Sequence, residues 1–222
     1  MPFTWVDGVV LAIWTLIAQL IVAIPFAASG AEESDPLLPS VFALASQALT
    51  LVGAIVWLRG RHVWSWRLLG PVRPRWRHVV IGVGVGVVGY LLVVVLIVMF
   101  VGAFGPVEAP GQRLLEESAA GGLVAVLAGL VGVVAAPVVE ELIFRGVLFQ
   151  SLRARVGVFP AMGVSAMVFG AVHFLPLLYS VALAILGFWL AAAFHRTGTL
   201  IVPVVAHATF NLIAIVLTVT VV

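Results

Sequence analysis

The chain contains no cysteine in its 222 residues, which excludes disulfides and thiolate metal sites. Lysine is missing too, so all eleven basic residues are arginine. Charge of either sign is scarce: 9% of residues are charged, where a soluble domain carries roughly a quarter. Too little polar surface exists to cover a globule in water. What is present is apolar, with 64% hydrophobic residues and a mean hydropathy of +1.27. Lipid must therefore be the solvent. Repeated apolar runs long enough to cross a bilayer predict one integral membrane domain over 1–222, an all-α polytopic transmembrane bundle of about seven (six to eight) helices.

The few charges are not scattered. Arg59, Arg61, Arg67, Arg73, Arg75 and Arg77 crowd one connection, which reads as a cytoplasmic membrane loop and not as a nucleic-acid surface, since arginines in short loops set topology by staying inside. Two acidic connections, Glu32-Glu33-x-Asp35 and the Glu108–Glu117 stretch, lie outside on this reading. The N-terminus is then cytoplasmic and the protein is a multi-pass component of the plasma membrane. Met1–Asp7 offers no basic region of the signal-peptide kind, and the apolar run to Ala28 has the length of a full span.

In order, the apolar runs predict helices over about 5–28, 39–58, 79–104, 119–155, 159–174, 177–194 and from 200 onward. The fourth is too long for one straight span at ~1.5 Å per residue, so a break is expected near Gly121-Gly122 or at Pro137. Gly84, Gly86 and Gly89 spell G-x-G-x-x-G, but inside an apolar span. The overlapping Gly82-x-x-x-Gly86 reads better as a close helix-packing face than as a nucleotide fingerprint. His62, His78 and His195 beside arginines, and Trp5, Trp57, Trp64, Trp66 and Trp76 near span ends, read as interfacial markers.

The second half holds residues that lipid should exclude. A charge at mid-span costs ~2.5–3.5 kcal/mol on insertion scales and usually marks function. Glu140, Glu141 and Arg145 interrupt the fourth run, His173 ends the fifth, and His207 and Asn211 lie within the last. The first half shows no comparable buried charge. Glu141 and Arg145 are four apart with the acid first, the favourable order for a helical ion pair, which leaves Glu140 to face elsewhere. Phe169 and His173, and His207 and Asn211, are also paired at four. By helix rise, Glu140 and His173 lie ~20 Å from the cytoplasmic ends of their helices. Residues from three helices can thus meet inside the membrane.

A buried carboxylate can take a proton from water, an imidazole can hold that water, and a second imidazole with an amide can stabilise an oxyanion. That inventory suits peptide hydrolysis without a covalent intermediate. Alternatively, Glu140, His173 and His207 could ligate a zinc ion with an open fourth position, although no H-E-x-x-H helix is present. Both a metal-dependent and a metal-free route stay open.

The three motifs, E-E-x-x-x-R (Glu140–Arg145), F-x-x-x-H (Phe169–His173) and H-x-x-x-N (His207–Asn211), resemble in order those of the CAAX-protease and bacteriocin-processing (CPBP, or Abi) family of intramembrane proteases. Gly146 and the Gly198–Pro203 approach are similar as well. The resemblance covers about 119–212, the expected catalytic core, with 1–104 as three supporting helices of generic hydrophobicity. It implies an endopeptidase with Glu140 as base, His173 as its partner, His207 and Asn211 as oxyanion stabilisers, and Glu141, Arg145 and Phe169 in support. The substrate would be a peptide or a membrane-anchored protein. A lysine-free, alanine- and arginine-rich composition suits a GC-rich bacterial genome, which points to peptides or signal-like segments over prenylated proteins. The alternatives are an immunity or assembly factor on the same scaffold, for which Glu140→Gln would be harmless, and a proton-coupled transporter, for which internal repeat symmetry is expected and is not seen.

Overall fold

The computed structural model of the chain describes residues 3–28, 37–61, 75–107 and 122–221. Among these there are seven helices and no strand. They are α1 (Trp5–Ala28), α2 (Leu38–Gly60), α3 (Trp76–Phe104), α4 (Gly122–Val156), α5 (Val158–Ala171), α6 (Leu177–Thr197) and α7 (Ile201–Val221). The first four and α6 are long and apolar enough to cross a membrane. The protein is a multi-pass helical membrane protein. Both acidic connections, most of the arginine-rich loop with Arg67 and Arg73, and His62, Trp64 and Trp66 lie outside the described residues.

Side-chain contacts fix how the helices run. Arg61 at the end of α2 meets Asp7 near the start of α1 at 3.4 Å, so these two helices are antiparallel. Arg155, near the end of α4, stacks over the Trp5 ring at 5.4 Å. Arg196, ending α6, borders the same groove as Ile81 in the first turns of α3. The described arginines other than Arg145 thus gather at one end of the bundle.

Asp7 corrects the expectation that the first half has no buried charge, because it is fully buried. Its carboxylate accepts bonds from the Thr4 backbone N–H and hydroxyl and from Trp57 Nε1. Thr4 and Asp7 form a capping pair at the start of α1. Trp57, expected in an interfacial belt, instead ties α2 to that cap, while Trp5 and Trp76 are exposed at the same end.

The small-residue face of α3 behaves as its spacing predicts. Gly82 and Gly86 lie against Val205 and Ala206 of α7, and a side-chain carbon at Gly86 would collide with the Ala206 carbonyl oxygen. This close parallel seam holds the helix that carries His207 and Asn211. Tyr90 packs edge-on to Phe210 further along it, with ring centroids 5.6 Å apart.

Of the two places where a break was expected, helix α4 begins at Gly122, at a positive φ of 70°, and runs on without interruption through Pro137. The strain is taken up by a π-helical stretch over Leu130–Ala135 just before it, and a second covers Leu142–Phe149. In the first, the Ala136 N–H reaches back five residues to the Val131 carbonyl. Widening a turn in this way accommodates a proline ring that has no N–H to give. The two wide stretches bracket Ala136–Glu141, the α-helical segment that bears both acidic residues. Such π-bulges are frequent at functional sites.

Helix α5 has 14 residues, or ~21 Å of rise, short of the ~30 Å hydrocarbon core. It ends at Ala171, not Phe174 as the apolar run suggests, and a turn leads to α6 with Phe174 at a positive φ of 51°.

Candidate active site

The second wide stretch of α4 is buried along its whole length, from Leu142 to Phe149. A deeply buried Arg145 is costly unless paired, and of its nitrogens only Nε has no partner among the described residues. Its Nη1 donates to Glu141 Oε1 at 2.7 Å, its Nη2 donates to the Gly187 carbonyl of α6 at 2.9 Å, and the guanidinium lies 4.5 Å above the Phe169 ring. Both side chains of this ion pair have zero exposure. The i,i+4 pairing read from the sequence is present.

Glu141 does more than neutralise the arginine. The same oxygen accepts a bond from His207 Nδ1 at 3.0 Å. A carboxylate only accepts, so Nδ1 carries a proton, and Nε2 is the ring nitrogen turned toward Glu140. Glu141 is thus a bridge from Arg145 to a histidine on α7, a link the spacing of α4 alone could not reveal.

His173 is placed by the end of α5. The last carbonyls of a helix lack backbone partners, and His173 Nδ1 donates to the Phe169 carbonyl at 2.7 Å. The expected i,i+4 relation survives as a side chain folding back onto a helix terminus. That bond also fixes the tautomer: a carbonyl cannot donate, so Nε2 is the free nitrogen of the neutral ring. Phe169 stacks edge-on against both imidazoles, with centroids 4.9 Å from His173 and 5.8 Å from His207.

Both Nε2 nitrogens point at one atom. His173 Nε2 lies 3.8 Å and His207 Nε2 3.9 Å from Glu140 Oε2. That oxygen is buried and has no hydrogen-bond partner among the described residues. The other oxygen, Oε1, accepts a bond from Gln47 Nε2 of α2 at 3.0 Å. Gln47 was not foreseen; a lone amide within the apolar run of α2 was the available signal, and the first helices supply more than hydrophobic surface. Side-chain exposure grades across the cluster, from 6% for His207 through 12% for Glu140 to 27% for His173.

Asn211 is tied to α4. Its Nδ2 donates to the Gly132 carbonyl of α4 at 2.7 Å. In the π-helical register Gly132 is the carbonyl that residue 137 would bond, and Pro137 has no N–H. Asn211 thus satisfies the acceptor that the proline leaves open, one turn along α7 from His207.

The donor types of Glu140, His173 and His207 suit zinc, yet among the described residues no group of three or more such side chains is spaced to hold a metal ion.

Residues 122–213, which contain all three motifs, match the family model of type II CAAX prenyl endopeptidase Rce1-like proteins. The match covers less than half of the chain. The resemblance read from the motifs and the family model agree on the same stretch of chain. A Bacillus subtilis (strain 168) protein named "Putative membrane peptidase YdiL" is 30% identical over 106 residues, 48% of this chain. The match spans 41% of that relative's length. No solved structure matches the chain significantly. The matched region begins with α4 and runs into α7, so α2 and its Gln47 lie outside it.

Proposed function

We propose that the protein is an intramembrane endopeptidase that hydrolyses a peptide bond with a water activated by Glu140. The observation that carries this reading is the convergence of two imidazole Nε2 atoms on one buried, unpartnered carboxylate oxygen. Distances of 3.8 and 3.9 Å are too long for direct hydrogen bonds. A water seated beside that oxygen can contact all three groups.

In the forward step, the water gives a proton to Glu140 Oε2 while its oxygen bonds to the scissile carbonyl carbon, and the carbonyl electron pair moves onto oxygen. His173, the more exposed imidazole, orients the water. His207 carrying both ring protons presents Nε2–H to the resulting oxyanion, with Glu141 balancing its charge. Glu140 then returns its proton to the leaving nitrogen as the carbon–nitrogen bond breaks. Asn211 Nδ2 has a second N–H besides the one given to Gly132, and on this reading that second donor serves the oxyanion while the Gly132 bond holds α7 in register with α4. Residues 122–213 form the catalytic core on this reading. The arginine end of the bundle faces the cytoplasm of a plasma membrane, with the N-terminus inside, and the substrate is a peptide or a membrane-anchored segment.

The test is cleavage of a quenched-fluorescent peptide library by purified protein in detergent, beside Glu140→Gln and His173→Ala, with and without chelator. The expected result is cleavage by wild type and loss in both variants. Cleavage surviving in Glu140→Gln sinks the mechanism, and loss on chelation with recovery on adding zinc replaces it with a metal-assisted one. Binding without cleavage, unaffected by Glu140→Gln, would favour the immunity-factor alternative.

A further inference from the structure

Gln47 is an amide within the 23-residue apolar helix α2, and an amide in such a setting needs a partner. It finds one ninety-three residues away: Nε2 donates to Glu140 Oε1 at 3.0 Å. This bond engages one oxygen of the proposed base and leaves the other facing His173 Nε2 and His207 Nε2. We propose that Gln47 is a positioning residue that selects Oε2 of Glu140 as the oxygen receiving the proton from water and returning it to the leaving nitrogen.

The chemistry follows from the donor inventory. An ionised carboxylate accepts only, so the amide N–H must point at it, and it can stay on Oε1 after Oε2 is protonated. The proton is thereby kept on the oxygen beside both histidines, where the water enters and the leaving group departs. The terminal torsion of a glutamate is broad, so without Gln47 the two oxygens exchange and the base spends part of its time misaligned. A hydrogen bond to the charged form also favours that form. The other ionisable groups around Glu140 are Glu141 and Arg145 on α4, His173 beyond α5 and His207 on α7; the described part of α2 brings only Arg59 and Arg61, at its far end.

This inference deepens the protease reading and rests on it, so its test has one arm that needs cleavage and one that does not. With a cleaved peptide in hand, Gln47→Leu lowers kcat roughly tenfold to a hundredfold, as loss of one bond to a charged group does. KM stays within about twofold, and the acid limb of the pH–kcat profile moves to higher pH. Gln47→Glu is poor at neutral pH and recovers on acidification, where its protonated carboxyl can donate as the amide does. The second arm is infrared titration of the protonated-carboxyl band that disappears in Glu140→Gln; its midpoint rises in Gln47→Leu. A Gln47→Leu variant with the wild-type kcat and pH limb overturns the proposal. A kcat loss that merely tracks the folded fraction overturns it as well, and so does an unmoved infrared midpoint. A shifted midpoint in a protein that cleaves nothing would keep the Gln47 contact and sink the protease reading instead.

Discussion

Replacing Arg145 by methionine keeps the length of the side chain and removes its charge. The residue is fully buried, bonded to Glu141 and the Gly187 carbonyl, and stacked on Phe169. Removing one member of such a pair strands the other, which costs about 3–5 kcal/mol. The thioether regains part of the lost aromatic contact. Neutralising both partners in Glu141→Gln/Arg145→Met removes the stranded charge, so the double variant should cost less than the two singles added, by about 2 kcal/mol. Reversible unfolding in mixed micelles, followed by circular dichroism, measures all four corners of the cycle. An Arg145→Met cost under about 1 kcal/mol, or an additive double variant, would refute the claim that this pair is a dry, coupled unit.

Asn211→Leu should cost about 1–3 kcal/mol by leaving the Gly132 carbonyl unpaired, and Pro137→Ala, which restores a backbone N–H nearby, should recover part of it; the same unfolding assay reads both. Gly86→Val should cost about 1–3 kcal/mol by overpacking the seam between α3 and α7 and should lower activity with it, because that seam carries His207; full activity in a stably folded variant would contradict this. Phe169→Ala removes the ring under Arg145 and between the two imidazoles, at about 3–5 kcal/mol, and thermal melting in detergent checks the figure.

Hydropathy alone located every described helix to within a few residues, because lipid demands apolar runs of a certain length and the arginines mark where they stop. Its failures share a cause. A π-helical stretch leaves no trace in composition, so Pro137 reads as a break when the widened turn before it absorbs the proline. The same goes for His173, whose position in a turn depends on α5 ending at Ala171, although Val172 and Phe174 are as apolar as the residues before them. Asp7 sits at a span end, where a charge draws no notice; its burial depends on Trp57 and Arg61 of another helix.

The candidate site was legible where its groups are paired along one helix or forbidden by lipid. Glu140, Glu141, Arg145, His173 and His207 were all singled out, and the structure brings them together. What the sequence hides is connectivity between helices. Nothing in the spacing of α4 says that Glu141 will bond His207, that Asn211 will bond Gly132, or that Gln47 will reach Glu140. Those links are set by which faces pack, and the Gly82–Gly86 face of α3 is the one such device the sequence did show.

The central claim is that Glu140 takes the proton from the attacking water. Its most direct test is single-turnover cleavage of one identified peptide by wild type and Glu140→Gln, with peptide affinity measured on both. The account predicts equal affinity within about twofold and a cleavage rate lower by about 10²–10⁴ in the variant, the range for removing a general base. A variant that binds and cleaves at the wild-type rate would contradict it.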